Sequence, residues 1–287
     1  MTKVRCKARN VVLEVFTTPS IIPNTIDMTR NCPESPDEVM QPFLRQNFLH
    51  HELPPVILKK SRITLIDLGQ LSQQLNSGDE EEILSCLLTY QEQQLYAGFS
   101  YPKRRVEWLG GRLAAKCALG QLLGGHTQVP CNTVSILPDI HGKPVVSFSF
   151  RPLEEANVSI SHSVDYATAI ASKSGNCGID IQCSSERLLR VQERFASHQE
   201  LAFLGDERDR LTRLAILWTA KEAMKKCYLP ADPTFFGKLL LVGAEKRNGR
   251  QWRLQCCMQE SGAPAATVHV LLFDQYSLAC VLGESDA

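Results

Sequence analysis

One amphipathic helix constrains the fold more than any other stretch of this chain. It runs into the segment Trp218-Thr219-Ala220-Lys221-Glu222-Ala223-Met224-Lys225-Lys226, which is rich in helix-forming residues and free of Gly and Pro. Apolar residues recur at i, i+3, i+4 and i+7, namely Leu211, Leu214, Ala215 and Trp218. This spacing predicts one buried stripe. In further steps of four residues from Trp218, the stripe reaches Glu222 and then Lys226.

Two interpretations of this charged continuation remain open from the helix alone. Burying a carboxylate and an ammonium costs several kcal/mol unless each finds a partner, a metal or a ligand. On that interpretation Glu222 and Lys226 line a site. Alternatively, the two form an exposed Glu-to-Lys pair, which stabilises a helix by a few tenths of a kcal/mol. The rest of the chain decides between these interpretations.

The composition of the 287 residues is that of an ordinary globular protein, with 44% hydrophobic and 22% charged residues. Lys+Arg and Asp+Glu balance at 31 each, so we expect no nucleic-acid partner, and a charged partner would have to meet a local patch. The sequence contains neither a run of about 18 apolar residues nor a signal peptide, which predicts a cytoplasmic protein without a membrane partner.

The eleven cysteines are scattered, and Cys256-Cys257 is the one adjacent pair. Their spacing predicts neither a zinc site nor a disulfide framework. Reduced thiols in a cytosolic protein fit this pattern better.

The sequence divides into three parts. Residues 1–53 are an extension with a β-like run, Val11–Phe16, and a segment rich in Pro, Asn, Thr and Ser. Residues 54–172 and 173–287 each contain a long helix and several strands, which predicts an α+β fold of two similar subdomains with a cleft between them. On this plan Arg112 and Lys116 of the first helix match Glu222 and Lys226 of the second.

Periodicity predicts the elements of both subdomains. The predicted helices are 79–98, 106–123, a short one from a Ser197 capping box through Leu204, and the helix that carries Glu222. The predicted strands are 56–58, 63–66, 134–137, 145–150, 157–163, 166–172, 177–182, 238–245, 252–258, 267–273 and 276–282, with an Asn248-Gly249 turn in the last group.

Three polar features stand out against this pattern. Asp180 lies between two isoleucines of a predicted strand, where it is either a structural acceptor or a metal ligand. Arg112 and Lys116 share a helix face that is either solvated or a phosphate clamp. A second basic face, either solvated or a docking surface, follows Asp180 and consists of Arg187, Arg190 and Arg194.

Together, several motifs resemble the 4′-phosphopantetheinyl transferases of the surfactin-synthetase-activating type. The motifs are Gly111-Arg112, Gly142-Lys143-Pro144, Ser159-Ile160-Ser161-His162-Ser163, Gly178-Ile179-Asp180-Ile181 and the Trp218–Lys226 segment. The last two form the family signature, and their joint spacing of about forty residues is far more specific than either alone. The resemblance runs from about Pro54 to the C-terminus.

This resemblance implies a pseudo-twofold pair of α+β subdomains with coenzyme A bound between them. It also implies the reaction, in which a serine of an apo acyl or peptidyl carrier protein takes up phosphopantetheine and adenosine 3′,5′-bisphosphate leaves. The expected partners are therefore coenzyme A and carrier proteins, and the expected state is a monomer.

The resemblance also implies roles for individual residues. Asp180 and Glu222 are the expected ligands of Mg²⁺, or of Mn²⁺, since these ions prefer oxygen ligands. Glu222 is the expected base for the carrier serine, directly or through a metal-bound water. Lys226 is expected to neutralise the leaving phosphate or to donate a proton to it. The residues expected to bind coenzyme A are Arg112, Lys143, Ser161, His162 and Lys221. For Lys221, a purely local ion pair is the alternative.

The chain departs from many bacterial relatives at one position. Gln182 stands where those proteins have a third acidic metal ligand, so we expect weaker metal binding without loss of activity. The alternative function is a non-catalytic module of the same fold that binds carrier protein or coenzyme A. Because carrier proteins are acidic, the Arg187, Arg190 and Arg194 face is the expected docking surface.

Overall fold

The computed structural model describes residues 44–45, 52–78, 80–123, 130–148, 156–173, 175–206, 208–232, 235–259 and 265–283. All of them lie in one compact unit, Pro33–Ala287. The predicted β-like run Val11–Phe16 lies outside the described residues. None of the described helices is both long enough and apolar enough to cross a membrane.

Helices precede and separate the strands. The α-helices are α1 Pro55–Lys60, α2 Leu68–Ser77, α3 Glu80–Leu87, α4 Tyr90–Ala97, α5 Pro102–Leu122, α6 Glu186–Val191, α7 His198–Phe203 and α8 Arg210–Tyr228. Short 3₁₀ helices span Cys131–Thr133, Gln192–Arg194 and Phe235–Lys238.

In the described ranges, ten strands form three antiparallel sheets. The strands are β1 Ser61–Asp67, β2 Val134–Pro138, β3 Pro144–Phe148, β4 Asn157–Ser163, β5 Tyr166–Ser172, β6 Cys177–Cys183, β7 Leu239–Lys246, β8 Gln251–Met258, β9 Ala266–Phe273 and β10 Tyr276–Leu282. The orders are β1-β5-β4, β6-β10-β9-β8-β7 and β2-β3. The mixed helix-and-sheet class predicted from the sequence is confirmed.

The two larger sheets face each other between two long helices. Helix α5 packs on one face of β1-β5-β4, and α8 packs on one face of the five-stranded sheet. The opposite faces of both sheets share a third apolar cluster, to which Ile63, Ile170, Ile179 and Leu278 belong. This arrangement follows from strand alternation, because successive side chains point to opposite faces and both faces here are apolar.

Two local signals correct the predicted elements in the first half. The predicted helix 79–98 is two helices, because Thr89 begins α4 with a capping box closed by Glu92. The predicted strand 56–58 is wrong: these residues lie in α1, which begins with Pro55, a favoured first helical residue. Helix α2 was not predicted, although the Asp67 side chain caps it by accepting from the Gln70 amide.

Each half contains a buried glutamate–lysine pair. In the first, Glu92 accepts from Thr89 at the start of α4, from Lys116 of α5 and from the Ile136 amide of β2. In the second, Glu200 accepts from Ser197 at the start of α7, from Lys221 of α8 and from the Leu241 amide of β7. The Ser197 capping box was predicted and is confirmed.

These contacts make Lys116 the counterpart of Lys221. The predicted match of Arg112 and Lys116 with Glu222 and Lys226 is therefore wrong, because Lys116 and Lys221 hold the equivalent glutamates.

The tight turns repeat as well. The β4–β5 turn contains Val164 and the β9–β10 turn contains Asp274, both with positive φ. The second residue of each turn, Asp165 or Gln275, accepts a hydrogen bond from the amide that follows β1 or β6, respectively.

Strands β4 and β6, at the edges of two different sheets, meet along a parallel seam. Its cross-links are side chain to backbone: three serines of β4 accept hydrogen bonds from three amides of β6. The pairs are Ser159 with Ile179 at 3.2 Å, Ser161 with Ile181 at 3.3 Å and Ser163 with Cys183 at 3.0 Å. The alternating serines of the Ser159–Ser163 motif thus join the two halves of the fold.

Candidate functional site

Asp180 occupies the seam, on the face of β6 that packs against α8. Gly178 permits this close approach, because a Cβ atom at that position would overlap the carbonyl group of Ala223. Side chains two residues apart share a strand face, so Asp180 also faces α8. Asp180 is 6% exposed, so its interactions are set by neighbouring protein groups rather than by water.

One oxygen of Asp180 holds two donors. The Ser161 hydroxyl donates to Oδ1 at 2.6 Å, and the Lys226 ammonium donates to the same atom at 2.7 Å. Lys226 also donates to the Ile179 carbonyl at 3.0 Å. Within the described part of the chain, Oδ2 accepts no hydrogen bond. Asp180 therefore retains one free coordinating oxygen.

Glu222 lies one turn before Lys226 on α8 and is half-buried. Burial raises the pKa of its carboxyl, and the negative charge of Asp180 raises it further. Lys226 and Lys225 act in the opposite direction. A carboxyl with a raised pKa beside a second carboxylate suits proton transfer or the binding of a cation.

The donor set of this site fits a hard divalent cation. Asp180 offers its free oxygen, and the mutual repulsion of Asp180 and Glu222 is the kind that a bound cation relieves. No cluster of three or more His, Cys, Asp or Glu that could hold a metal occurs in the described ranges. Two carboxylates are nevertheless the usual number of protein ligands for Mg²⁺, which takes its other ligands from phosphate and water.

His162 belongs to the same site through β4. Its Nε2 lies 3.3 Å from Arg104 Nη1, and its Nδ1 lies 3.9 Å from a carboxylate oxygen of Glu107. Burial lowers the pKa of His162; Arg104 and Lys226 lower it as well, and Glu107 opposes them. The imidazole is therefore neutral at pH 7 and can accept as well as donate a hydrogen bond.

A glycine again allows helix and strand to approach. A Cβ atom on Gly111 would lie 2.8 Å from the Ile160 side chain, so α5 rests closely on β4. That contact brings Arg104 and Glu107 to His162. Neither Arg104 nor Glu107 is among the site residues predicted from the sequence. The available signal was their shared face with Gly111, at i, i+3 and i+7.

Arg112 lies buried next to this group. Its guanidinium stacks over the Trp108 ring at 4.7 Å, and it is 9% exposed. Among the described residues it forms no hydrogen bond, and its Nε is buried without a partner. Burial lowers its pKa to about 10. A buried guanidinium without an acceptor is costly, and an anionic ligand would relieve that cost.

Lys143 and Gln182 lie apart from this group of contacts. Lys143 Nζ donates to Asn176 Oδ1 at 3.3 Å, beside the start of β6. Gln182, which shares the Asp180 face of its strand, donates its side-chain amide to the Cys183 carbonyl at 2.8 Å.

Lys221 does not join the site. It is 2% exposed, and its Nζ lies 2.7 Å from both Glu200 Oε1 and the Phe195 carbonyl. Of the two predicted roles of Lys221, local pairing is the one observed. Lys116 is held in the same manner by Glu92, which excludes a phosphate clamp formed with Arg112.

The second basic face remains on the surface. Arg187 lies on α6, Arg190 follows one turn later, and Arg194 ends the 3₁₀ helix that continues it. All three side chains are exposed. They follow directly after β6, on the same chain segment as Asp180.

Residues 176–281, which include Asp180, Glu222 and Lys226, match the family described as "4'-phosphopantetheinyl transferase superfamily". A holo-[acyl-carrier-protein] synthase from Geobacillus sp. (strain WCH70) is 35% identical over 109 residues, covering 37% of this chain and 88% of that protein. The chain belongs to the 4′-phosphopantetheinyl transferase superfamily.

A second curated protein and a solved structure are also similar to part of this chain. A holo-[acyl-carrier-protein] synthase from Streptococcus agalactiae serotype III is 42% identical over 85 residues, covering 29% of this chain and 70% of that protein. The holo-(acyl-carrier-protein) synthase from Bacillus anthracis in complex with CoA is 27% identical, with a TM-score of 0.34. The match covers 39% of this chain and 92% of the chain in that structure.

Proposed function

We propose that this superfamily member transfers the 4′-phosphopantetheine group of coenzyme A to a serine hydroxyl of an apo acyl or peptidyl carrier protein. The observation that carries the proposal is the meeting of Asp180, Glu222, Lys226 and His162 in one site. Three of these residues lie in the segment that matches the superfamily. Relatives named holo-[acyl-carrier-protein] synthase support the same reaction.

The proposed reaction gives Glu222 and Lys226 separate roles. The carrier serine oxygen attacks the β-phosphorus of coenzyme A, and the bond from that phosphorus to the bridging oxygen breaks. Glu222 takes the serine proton, a role that its raised pKa suits. Lys226 neutralises the charge that develops on the departing adenosine 3′,5′-bisphosphate. Its contact with Asp180 fixes its ammonium at the site.

Asp180 and Glu222 would hold Mg²⁺, or Mn²⁺ in its place. When bound, the ion supplies charge neutralisation for the pyrophosphate. Gln182 contributes no negative charge here, and its amide nitrogen is bonded along its own strand. We therefore expect a metal site of two protein carboxylates that binds more weakly than a site with three.

His162 and Arg112 are the residues that we propose to bind coenzyme A phosphates. The neutral imidazole of His162 can donate to a phosphate oxygen, and Arg104 lies beside it. Arg112 is a buried cation without an acceptor in the described residues. Lys143, near the start of β6, is proposed to reach the ligand from the other side. Lys221 is withdrawn from this set, because it is 2% exposed and two of its three donors already bind Glu200 and the Phe195 carbonyl.

We further propose that residues 54–172 and 173–287 are two pseudo-twofold related subdomains, as in the surfactin-synthetase-activating type. The repeated Glu–Lys pairs and the repeated turns support this arrangement. On this proposal residues 1–53 are an added extension. A cytoplasmic monomer remains the expected state.

The carrier protein is proposed to dock on the exposed face of Arg187, Arg190 and Arg194. Its position directly after β6 supports this proposal, because a carrier bound there is adjacent to the Asp180 strand. Replacing the three arginines with glutamate should raise KM for the carrier and leave the Kd for coenzyme A unchanged. An unchanged KM would place the docking surface elsewhere.

Intact mass spectrometry tests the reaction directly. An apo carrier protein is incubated with coenzyme A, Mg²⁺ and either wild-type protein or Glu222→Gln. A gain of one phosphopantetheine with wild type alone supports both the reaction and the role of Glu222. Binding of coenzyme A without any gain on carriers of several classes would favour the alternative, a non-catalytic binding module.

A further inference from the structure

The three serines of the β4–β6 seam all accept a hydrogen bond from β6, but they differ in whether they also donate one. Ser159, Ser161 and Ser163 each accept one hydrogen bond from a backbone amide of β6. Among contacts between described residues, Ser161 is the one of the three that also donates, to Asp180 Oδ1 at 2.6 Å. The seam therefore has three structural cross-links, of which the middle one also contacts the carboxylate of the site.

The geometry fixes the direction of the Ser161 hydroxyl. A serine hydroxyl has one hydrogen to donate and lone pairs with which to accept. The Ile181 amide approaches the lone pairs of Ser161, and the hydrogen is left for Asp180. Hydrogen bonds to a carboxylate are stronger than bonds between neutral groups. Ser161 is also 8% exposed, so water competes little for this bond.

We infer that Ser161 is a positioning residue for Asp180, which it orients so that Oδ2 is presented to the cation. Ser161 and Lys226 together occupy Oδ1. Rotation of the carboxylate would break both bonds, so the free oxygen keeps one direction. This inference rests on the proposed function, and it replaces the sequence-based expectation that Ser161 binds coenzyme A.

The seam supplies its own matched controls. Ser159→Ala and Ser163→Ala each remove one amide acceptor, as Ser161→Ala does, without touching Asp180. All three variants should lose similar amounts of thermal stability. Any effect on cation binding beyond that of the controls then belongs to the bond between Ser161 and Asp180.

The experiment measures two affinities on the full-length protein. Mn²⁺ alone is titrated without coenzyme A, with free ion followed by electron paramagnetic resonance. Coenzyme A is titrated separately by calorimetry in the presence of EDTA. We expect Ser161→Ala to weaken Mn²⁺ binding about 10- to 100-fold, the usual effect of losing such a supporting hydrogen bond. The two control variants should change it less than twofold, and coenzyme A affinity in EDTA should stay within twofold for all three.

Two results would overturn the inference. One is Mn²⁺ binding that Ser161→Ala changes no more than the controls do, which includes a wild type without measurable Mn²⁺ binding. The other is weaker coenzyme A binding in EDTA, which would make Ser161 a ligand contact. If Ser161→Ala does not fold, Ser161→Cys keeps the volume with a weaker donor and decides the question in the same assay. Carrier modification by wild type, measured on the same samples, tests the proposed function independently.

Discussion

Lys221 and Lys226 lie five residues apart on α8, and their environments predict opposite consequences for the same substitution. Lys221 is buried against Glu200, whereas the Lys226 side chain is 27% exposed and contacts Asp180. We expect Lys221→Met to destabilise the protein while sparing coenzyme A affinity. Lys226→Met should abolish transfer and cost less stability.

The magnitude for Lys221→Met follows from the groups that it leaves unpaired. Glu200 would remain buried with three donors, the amides of Ser197 and Leu241 and the Ser197 hydroxyl. The Phe195 carbonyl would lose its donor as well. Removing one partner of a buried ion pair costs about 3–5 kcal/mol. At roughly 2–4 °C per kcal/mol for a large domain, the melting temperature should fall by at least about 6 °C.

The penalty should depend on pH. Burial opposes ionisation of Glu200, but the hydrogen bonds and charge of Lys221 and the Leu241 amide outweigh it and lower the pKa of Glu200. Because the pKa of Glu200 is lower in the folded than in the unfolded protein, its ionisation stabilises the fold. This stabilisation is present above the unfolded-state pKa of about 4.3 and is lost as the pH falls through the folded-state pKa. Lys221→Met raises the pKa of Glu200. The difference in the free energy of unfolding between variant and wild type should therefore be largest near pH 7 and should become smaller below about pH 4.3.

Thermal and urea unfolding between pH 3.5 and 7.5 measure this difference. Addition of Glu200→Gln to Lys221→Met should recover part of the lost stability, since neither position then carries a buried charge. A Lys221→Met variant that melts like wild type, or that loses coenzyme A affinity while folded, would refute the structural role assigned to Lys221.

Three further outcomes are expected. Gly178→Ala should lower both the melting temperature and the transfer rate, because the added methyl group forces β6 away from Ala223; normal values would contradict the close approach. Arg112→Met should leave the melting temperature unchanged or higher, because it removes a buried cation that has no acceptor among the described residues. The Kd for coenzyme A, measured by calorimetry, should rise. Asp180→Asn should lower the pKa of Glu222 in metal-free protein, followed by NMR; a constant pKa would show that the two carboxylates do not interact.

The sequence predicted most strands of the second half and the helix that carries Glu222, because these segments have regular apolar periods and clear turn residues. It failed where a local cap competed with periodicity. Thr89 begins a new helix in the middle of a helical pattern, and Pro55 begins a helix in an apolar run that had the composition of a strand.

The structure brings together those predicted site residues whose placement follows from one element, and their roles remain predictions. Asp180, Glu222 and Lys226 lie on one strand and one helix that touch. Residues that depend on a distant partner were harder to place. Lys221 looks identical to a ligand-binding lysine until Glu200, 21 residues earlier, is seen to hold it. Glu107 acquires its neighbour His162 only through the packing of α5 on β4.

The seam of serine hydroxyls between β4 and β6 also affects how the protein can evolve. Most side-chain substitutions, proline apart, leave a ladder of backbone hydrogen bonds unchanged, since every other residue supplies the same amide and carbonyl. Here each cross-link depends on a single codon, and changing Ser159 or Ser163 would deprive one amide of its acceptor while leaving the strands intact. Selection can therefore adjust the adhesion between the two halves in small steps, and amide hydrogen exchange at Ile179, Ile181 and Cys183 would record each step separately.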